Sequence, residues 1–341
     1  MCSSPWAPAT FGLWARSCWP CRRARSPRMS EQRHLAELAR EAGLADRLLF
    51  DEPLSRHTSF RIGGPADFFT VAESQEQLCR WVTMALQAGE SFLVLGRGTN
   101  VLVADQGYRG LVIENRCSGS ELDTASHILD AESGLSLSRL SRATAELGES
   151  GLEWAIGIPG TVGGAIVSNA GAYDGDMAAV VSGVTVLDGQ RRVRRLGAEE
   201  LHFGYRTSRF RNRGDRPEII LSAEFQLEPE APAALAQRMN GFRAQRLASA
   251  PSEPSAGSVF KNPPGASAAE LIDRAGLRGK SIGEAQVSEK HANYIVNVGQ
   301  ATAQDVLLLI ALVQDQVHRL FGVDLELEIE IIGISQQSLV H

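Results

Sequence analysis

The sequence predicts an α+β fold built in several layers, and three observations lead to this prediction. Short apolar strands and amphipathic helices interleave irregularly along the 341 residues, without the regular alternation of a β/α barrel. Hydrophobic residues make up 43% and charged residues 22% of the chain, proportions typical of a globular protein rather than a disordered one. At about 100–200 residues per domain, the length corresponds to two or three domains.

Charge and hydropathy argue against two classes of partner. The formal net charge is −6, whereas a nucleic-acid-binding protein needs a basic excess to neutralise phosphates. The longest apolar run, Val306–Val313, has eight residues, and a membrane-spanning helix needs about 20. We therefore expect neither a nucleic acid nor a membrane as a partner. After residue 28 only Cys79 and Cys117 remain, which suits a reducing cytoplasm without disulfides.

Residues 1–28 differ in composition from the rest of the chain. They contain three of the five cysteines, three of the five tryptophans, five arginines and no acidic residue. Cys18 and Cys21 have the spacing of a metal or redox pair, but no second pair or nearby His completes a ligand set. A secretory signal also fits poorly, because no apolar core precedes a small-residue cleavage site. We expect residues 1–28 to be a non-native or disordered leader. A chain that starts at Met29 should then fold and function like the full chain.

Six helices are predicted from periodicity and local capping. They lie at residues 30–42, 74–87, 136–147, 233–247, 267–275 and 302–320. Ser74 and Gln77 form a capping-box pattern at the start of the second helix, and Gly89 ends it. Ser267 and Glu270 repeat the capping pattern at the fifth helix.

Strands are predicted where short apolar runs lie between turns. They are at residues 92–95, 101–103, 110–114, 180–187, 219–227 and 323–332. The last run alternates strictly between apolar and acidic residues, so a half-buried strand is expected, with Glu328 on its acidic face. Four acids on one face repel one another, so the pattern by itself favours a solvated edge. Pro229 and Pro232 mark a domain boundary, and Ser288–Tyr294 places polar groups inside what otherwise reads as strand.

A glycine-containing loop at residues 96–100 is the first candidate ligand site. Glycine after a buried strand lets backbone N–H groups approach a phosphate, and Thr99 and Asn100 add side-chain donors. A dinucleotide-binding fingerprint needs a third glycine at position 101 and a following helix, but Val101 begins a strand. The loop is therefore either a ligand cradle or a tight hairpin with glycine at positive φ.

A second glycine-rich stretch, Gly151–Tyr173, is a stronger candidate. Six glycines occur within the 21 residues from Gly151 to Gly171, which is entropically costly without a reason. Interleaved apolar residues such as Ile156 and Val162 indicate an ordered, partly buried segment rather than a flexible loop. Pro159-Gly160 favours a type II turn, and the glycines that follow permit close approach of a flat or phosphorylated ligand.

Two further segments carry polar side chains suited to chemistry. Arg206 lies among aromatic residues, where it is either an anion clamp or a surface arginine with a stacked stem. Ser258 follows Gly257 in a loop that lacks the Gly-x-Ser-x-Gly pattern of hydrolases, so a serine nucleophile is disfavoured. The histidines near these segments have no metal-ligand spacing, and no metal is expected.

Taken in order, these blocks resemble the UDP-N-acetylenolpyruvoylglucosamine reductase family, known as MurB. The resemblance runs from about residue 49 to residue 333. It rests on the segments Pro53–Ala66, Gly96–Asn100, Gly151–Tyr173, Tyr205–Phe210, Gly257–Pro263, Ser288–Asn293 and Leu325–Gly333. No long Tyr-bearing insertion lies between Tyr205 and Ser258, as in the shorter subclass of the family. Departures from the family pattern are Asp51-Glu52, Arg97 and Ala250-Pro251.

The resemblance implies a p-cresol-methylhydroxylase-like FAD-binding fold in two α+β subdomains, followed by a C-terminal α+β substrate-binding domain. The implied boundaries are 29–112 for the first FAD subdomain with the strand at 323–333 returning to it, 113–230 for the second, 231–322 for the substrate domain and 334–341 for a tail. The implied reaction is the NADPH-dependent reduction of enolpyruvyl-UDP-GlcNAc to UDP-N-acetylmuramate in peptidoglycan synthesis. Hydride passes from reduced, non-covalent FAD to the β-carbon, and a proton is added to the α-carbon. The sequence contains no fingerprint that separates NADPH from NADH.

The resemblance also implies roles for individual residues. Arg206, Ser258 and Glu328 match the family's catalytic residues, with Ser258 as the acid. The implied FAD contacts are Gly96, Arg97, Gly98, Thr99, Asn100, Pro159, Gly160, Thr161, Gly163, Gly164, Ala165, Asn169 and Gly171, and the implied substrate contacts are Tyr205, Lys261, Asn262 and His291. A cytoplasmic monomer is expected. Another FAD oxidase or dehydrogenase of the same fold, and an inactive flavin-binding protein, are the alternatives.

Overall fold

The computed structural model describes residues 29–211 and 218–333, with side chains from His34 onward. Its α-helices are α1 (Met29–Glu41), α2 (Gln75–Ala88), α3 (Leu137–Glu146), α4 (Val162–Ser168), α5 (Pro232–Ser249), α6 (Ala268–Arg274) and α7 (Ala303–Phe321). Short 3-10 helices lie at Ala45–Arg47, Leu54–Arg56, Glu153–Ala155, Met177–Ala179 and Ala198–Leu201. The predictions for residues 1–28 and 334–341 lie outside the described residues.

The strands follow the same chain order. The first ten are β1 (Leu49–Pro53), β2 (Pro65–Ala72), β3 (Phe92–Leu95), β4 (Val101–Val103), β5 (Tyr108–Asn115), β6 (Ser120–Asp123), β7 (Ile128–Glu132), β8 (Glu149–Ser150), β9 (Gly171–Ala172) and β10 (Gly175–Asp176). The others are β11 (Val181–Leu187), β12 (Val193–Gly197), β13 (Ile219–Gln226), β14 (Glu228–Pro229), β15 (Ser255–Ser258), β16 (Ser281–Ile282), β17 (Ala285–Val287), β18 (Tyr294–Asn297) and β19 (Glu330–Ile332).

The first sheet has the strand order β1-β2-β5-β3, in which β5 runs parallel to both β2 and β3. Its buried face packs against α2, whose Leu78 and Trp81 are fully buried. The Ser74 hydroxyl accepts a hydrogen bond from the Gln77 backbone at 3.3 Å, and Gly89 adopts the left-handed conformation at the end of the helix. The local capping signals therefore predicted both ends of α2.

The second sheet is antiparallel, with the order β12-β11-β13-β7-β6. Its core includes buried residues of α3 and α4. Helix α5, after the two prolines, packs onto this part of the fold, because its Leu235 and Met239 form a buried cluster with Ala145 and Ile156. A third antiparallel sheet, β15-β18-β17-β16, packs against α6 and α7. The predicted domain boundaries stay predictions, and none of the described helices is long and apolar enough to cross a membrane.

The predicted strand at 323–332 is wrong over most of its length. Only Glu330–Ile332 is a strand, and it pairs in parallel with β4. Before that, the backbone is extended and bonds to a different partner: Lys261 donates to the Glu326 carbonyl and Glu328 donates to the Val259 carbonyl, both at 2.8 Å. The alternation correctly indicated burial of the apolar residues, but it carries no information about which chain supplies the hydrogen bonds.

The polar block Ser288–Tyr294 was also misassigned. It forms the connection between β17 and β18, and only Tyr294 belongs to a strand. The buried Asn293 explains why the block is polar and yet inside the protein. Its side chain accepts a hydrogen bond from the Phe260 backbone at 3.0 Å and donates one to the Phe260 carbonyl at 2.8 Å, so it replaces a strand partner.

Candidate active site

A cavity of about 800 Å³ is lined by segments from each of the three larger sheets. Among the predicted cofactor residues, Gly96, Arg97, Gly98, Thr99, Asn100, Pro159, Gly160, Thr161, Gly163, Gly164, Ala165 and Gly171 line it. The predicted catalytic residues Arg206, Ser258 and Glu328 line it as well. These residues come from distant parts of the sequence, so the fold creates a common cavity that no local motif describes.

The first wall of the cavity is the loop Gly96–Asn100. It connects β3 of the first sheet to β4, which pairs with β19, so the two strands are not a hairpin. Gly98 has φ 58°, and a Cβ there would overlap the backbone of His57 and Thr58. Glycine is therefore required at this position by its left-handed backbone and by the close approach of a neighbouring segment.

The second wall is the turn and helix from Pro159 to Gly171. The Thr161 hydroxyl caps α4 by accepting a hydrogen bond from the Gly164 backbone at 3.3 Å. A Cβ added at Gly164 would meet only the Thr161 hydroxyl, at 3.5 Å, so the space in front of it belongs to the cavity rather than to protein atoms. Gly163 instead abuts Ser133, with a Cβ position 3.0 Å from the Ser133 Cβ.

Asn169 is a predicted cofactor residue that the structure does not bring to the cavity lining. It is buried, with φ 43°, at the end of α4. Its amide donates to the Gly204 carbonyl at 3.0 Å, and its side-chain oxygen accepts from the Ala178 backbone at 3.0 Å. The donated bond fixes the loop that precedes Arg206, and the accepted bond holds the 3-10 helix Met177–Ala179.

Arg206 projects from this loop with a left-handed backbone, φ 53°. Its Nη2 donates to the Gly171 carbonyl at 2.9 Å, and its Nε lies 3.0 Å from Oε1 of Glu328. The Nε–H group is buried but is not directed at that oxygen, so the ion pair contains no hydrogen bond from Nε. A guanidinium held by the Gly171 carbonyl at the wall of the cavity is suited to attract a carboxylate by its charge.

Glu328 is a partly buried carboxylate beside this arginine. Burial raises the pKa of its carboxyl group, and the positive charges of Arg206, Arg211 and Lys261 oppose that shift. Its backbone carbonyl accepts hydrogen bonds from the Arg211 Nη2 at 2.6 Å and from the Asn100 side chain at 3.3 Å. The residue is thus fixed through its backbone and is not a solvated edge acid.

Ser258 ends β15 and pairs with Tyr294 of β18. Both residues line the cavity. The preceding Gly257 has φ 79° and no atom within 4 Å of a Cβ position, so it serves the turn of the backbone. Among the described residues, no hydrogen-bond partner of the Ser258 hydroxyl is found, which leaves this O–H group available to a ligand in the cavity.

The four predicted substrate residues lie outside the lining of the cavity. Tyr205 accepts a hydrogen bond from the Asn262 backbone at 3.3 Å, and the Lys261 ammonium lies 3.2 Å from Glu326. His291 packs edge-on against Tyr294 with ring centroids 4.9 Å apart. Burial, followed by the charge of Arg278, lowers the pKa of His291.

Several residues that line the cavity were not predicted from the sequence, and two of them carry polar groups beside the candidate site. Arg246 of α5 and Tyr294 of β18 both line the cavity. Arg246 stands near the end of the helix predicted at residues 233–247, which was given no role in the site, and no local motif marks it. Tyr294 was quoted as the end of the polar block, and its pairing opposite Ser258 becomes visible only from the strand register.

The lining residues fit a flavin nucleotide. Two glycine-bearing segments expose backbone groups to the cavity, and Gly164 leaves room that a side chain would fill. The volume lies in the range of cofactor sites, about 300–1,000 Å³. Among residues 29–211 and 218–333, no group of three or more His, Cys, Asp or Glu side chains could hold a metal ion.

Two domain families match the chain. Residues 66–197 match a FAD binding domain, which includes both glycine-bearing walls of the cavity. Residues 249–332 match the C-terminal domain of UDP-N-acetylenolpyruvoylglucosamine reductase, which includes Ser258 and Glu328. These matches confirm the predicted α+β FAD-binding fold.

Curated proteins and a solved structure show the same similarity over nearly the full length of the related proteins. UDP-N-acetylenolpyruvoylglucosamine reductase 2 of Symbiobacterium thermophilum is 43% identical over 300 residues, covering 88% of this chain and 96% of that protein. The reductase of Rubrobacter xylanophilus is 44% identical over 286 residues, covering 83% and 95%. The crystal structure of the Thermus caldophilus enzyme (MurB) superposes with a TM-score of 0.71 at 34% identity, covering 84% of this chain and 98% of that one.

Proposed function

Because the chain belongs to the UDP-N-acetylenolpyruvoylglucosamine reductase family, we propose that Arg206, Ser258 and Glu328 carry out its reaction in the cavity described above. The protein is an NADPH-dependent flavoenzyme that reduces the enolpyruvyl ether of UDP-GlcNAc to UDP-N-acetylmuramate. When bound, FAD supplies the two-electron chemistry, accepting hydride from NADPH and passing it to the β-carbon of the enolpyruvyl group. The observation that carries the proposal is that one cavity is lined by both glycine-bearing walls and by the three polar residues.

Arg206 is proposed to bind the substrate carboxylate. Addition at the β-carbon leaves negative charge on the α-carbon, and this charge delocalises into the attached carboxylate. A fixed guanidinium stabilises that charge more in the transition state than in the substrate, which is what lowers a barrier. The bond from Arg206 to the Gly171 carbonyl supports this role, because it orients the guanidinium before substrate arrives.

Ser258 is proposed to deliver the proton to the α-carbon. A hydroxyl is a weak acid in water, but the developing carbanion is strongly basic, so a positioned O–H group suffices. The absence of a partner for this hydroxyl among the described residues supports the role, since no protein bond has to break before the proton moves. The proton lost from Ser258 is then restored from a neighbouring acid or from solvent.

Glu328 is proposed to balance the charge of Arg206 and to share protons with the site. Its buried carboxyl group has a raised pKa, so it holds a proton to higher pH than an ordinary glutamate. Asn169 is proposed to position Arg206 through the Gly204 loop rather than to contact FAD. We further propose that Tyr205, Lys261, Asn262 and His291 hold the UDP-sugar part of the substrate at the edge of the cavity.

The remaining proposals concern the whole protein. We propose that it works as a monomer in the cytoplasm, where its UDP-sugar substrate and NADPH are available. We also propose the division into two FAD subdomains and a substrate domain at the boundaries predicted from the sequence. The three larger sheets support this division, although α5 packs against α3 of the second FAD subdomain.

The function is tested with the purified protein and its two substrates. We expect a yellow protein whose bound flavin is bleached by NADPH and recovers its absorbance when enolpyruvyl-UDP-GlcNAc is added without oxygen. Recovery with oxygen alone and not with the enolpyruvyl sugar would instead identify an oxidase of the same fold. A colourless protein that takes up no added FAD would contradict the cofactor assignment.

A further inference from the structure

Arg211 contacts the segment that carries Glu328 but does not line the cavity. Its Nη2 donates a 2.6 Å hydrogen bond to the backbone carbonyl of Glu328, across 117 residues of sequence. A bond from a charged donor is about twice as strong as one between neutral groups. The same carbonyl also accepts the longer bond from Asn100, so two side chains hold the backbone of one residue.

The charge of Arg211 also acts on the Glu328 carboxyl group. Three cations face that group: Arg206, Arg211 and Lys261, of which Lys261 is also paired with Glu326. The positive charge of Arg211 opposes the effect of burial and favours the ionised carboxylate. Its second terminal nitrogen, Nη1, is buried and has no hydrogen-bond partner among the described residues. The positive charge on this side of the guanidinium therefore acts on neighbouring groups without being offset by a hydrogen-bond acceptor.

We propose that Arg211 is a positioning residue, which fixes the backbone of Glu328 and places a second guanidinium beside its carboxylate. This inference rests on the catalytic role proposed for Glu328. Arg206 is then free to release its hold on Glu328 as substrate binds, because Arg211 continues to keep the glutamate in place. A misplacement of about 1 Å in such a site can cost roughly 100-fold in rate, so a residue outside the cavity can matter to the chemistry.

The test compares the holoenzyme with Arg211→Met, which removes the donor and the charge, and with Arg211→Lys, which restores both. Arg80→Met is the matched control, because Arg80 also donates to a single backbone carbonyl, that of Ala42, at 3.1 Å. For each protein, stopped-flow absorbance gives the rate of flavin reoxidation by enolpyruvyl-UDP-GlcNAc from pH 5 to pH 9. Glu328→Gln identifies the limb of the pH profile that belongs to Glu328.

We expect Arg211→Met to lower the reoxidation rate roughly tenfold or more and to move the Glu328 limb to higher pH. Arg211→Lys should recover most of the rate and return the limb, and Arg80→Met should match the wild type. An unmoved limb in Arg211→Met, with the limb lost in Glu328→Gln, would overturn the role of Arg211 alone. A limb that survives in Glu328→Gln would overturn the role of Glu328 and this inference together.

The design also covers a variant that fails to fold. If Arg211→Met retains no FAD, Arg211→Gln replaces it, because glutamine keeps an amide donor but carries no charge. A limb that moves to higher pH in Arg211→Gln supports the contribution of the charge. A limb that stays in place shows that Arg211 is merely structural.

Discussion

The Asn100 side chain donates a 3.3 Å hydrogen bond to the backbone carbonyl of Glu328. Asn100 ends the first glycine-bearing wall of the cavity, and its own carbonyl accepts a 2.9 Å bond from the Glu330 backbone. The loop proposed to hold the cofactor and the segment that carries Glu328 are therefore joined at two adjacent points. We expect changes in either of them to affect both flavin retention and turnover.

Replacement of Ser258 should separate the two half-reactions. Ser258→Ala should leave the reduction of FAD by NADPH nearly intact, because no enolpyruvyl group takes part in that step. Reoxidation by the substrate should slow by roughly 10²–10⁴-fold, the usual contribution of a positioned general acid. Substrate affinity should change little, since the lost group stabilises mainly the transition state.

Stopped-flow flavin absorbance measures each half-reaction of Ser258→Ala, with Ser252→Ala as the control. Ser252 lies in the loop before β15, and its hydroxyl bonds only to the neighbouring Glu253, at 3.3 Å. Equal slowing of both half-reactions would show that Ser258 positions the flavin. Unimpaired reoxidation would remove Ser258 from the mechanism.

Gly164→Val should abolish flavin retention while the protein stays soluble and folded. The added Cβ meets only the Thr161 hydroxyl, at 3.5 Å, so the protein itself accommodates it and the larger side chain extends into the cavity. The 450 nm absorbance after desalting measures the bound flavin. Gly241→Val is the control, because no atom lies within 4 Å of its Cβ position and it does not line the cavity. A yellow, active Gly164→Val protein would assign a purely structural role to this wall.

Glu328→Gln should change the pH dependence of stability. Burial raises the carboxyl pKa in the folded protein above its ordinary value of 4.5, so the folded state binds the proton more tightly than the unfolded chain does. The resulting stability is complete below the ordinary value and is lost as the pH rises through the raised pKa. Glutamine resembles the neutral carboxyl group and cannot ionise, so the variant should gain stability relative to wild type as the pH rises above the ordinary value of 4.5.

Urea unfolding of both proteins at several pH values checks this expectation. The difference in midpoint between Glu328→Gln and wild type should increase with pH, while the acids common to both proteins cancel. A difference that stays constant would mean that the Glu328 carboxyl group ionises equally well in the folded and unfolded states. A difference that falls with pH would mean that its ion pairs outweigh its burial.

Gly241→Ala should stabilise the protein. Gly241 lies inside α5, where glycine is destabilising relative to alanine by about 0.5–1 kcal/mol because its unfolded chain has more conformational freedom. No atom lies within 4 Å of the added Cβ, so the substitution introduces no clash. The urea midpoint should rise with an unchanged slope, and kinetic constants should match the wild type. A lower midpoint would show that α5 needs flexibility at this position.

Local signals predicted six of the seven α-helices of the described residues, because the physical causes are local, and missed α4 inside the glycine-rich stretch. The predicted caps at Ser74 and Ser267 each satisfy a backbone N–H group within three residues, and the structure contains both. The run at 323–332 failed for the opposite reason. Its alternation reports burial on one face, whereas its hydrogen-bond partners come from Val259–Lys261 and from β4, which no local pattern identifies.

The candidate site shows the same division. The glycine walls could be found because their residue types are unusual where they stand, whereas the role of Ser258 was predicted only from the resemblance to the family. Arg211 could not, since its importance comes from a bond to a residue 117 positions away. Asn169 was predicted as a cofactor residue from its motif. Its amide instead bonds to Gly204 and Ala178, and only the fold shows that it holds these neighbouring segments in place.

The segment from Glu326 to Ile332 bonds first to Val259–Lys261 and then to β4, and this has a consequence for biosynthesis. Asn100 and Glu328 are 228 residues apart, so the ribosome completes both glycine-bearing walls long before it adds Glu328, whose carbonyl bonds to the first of them. Contacts of such long range also form late in refolding, because the loop between them must close first. A nascent chain can therefore display the surfaces for the nucleotide while it still lacks the charge arrangement for turnover. The activity proposed for the site therefore requires that the segment from Glu326 to Ile332 has docked.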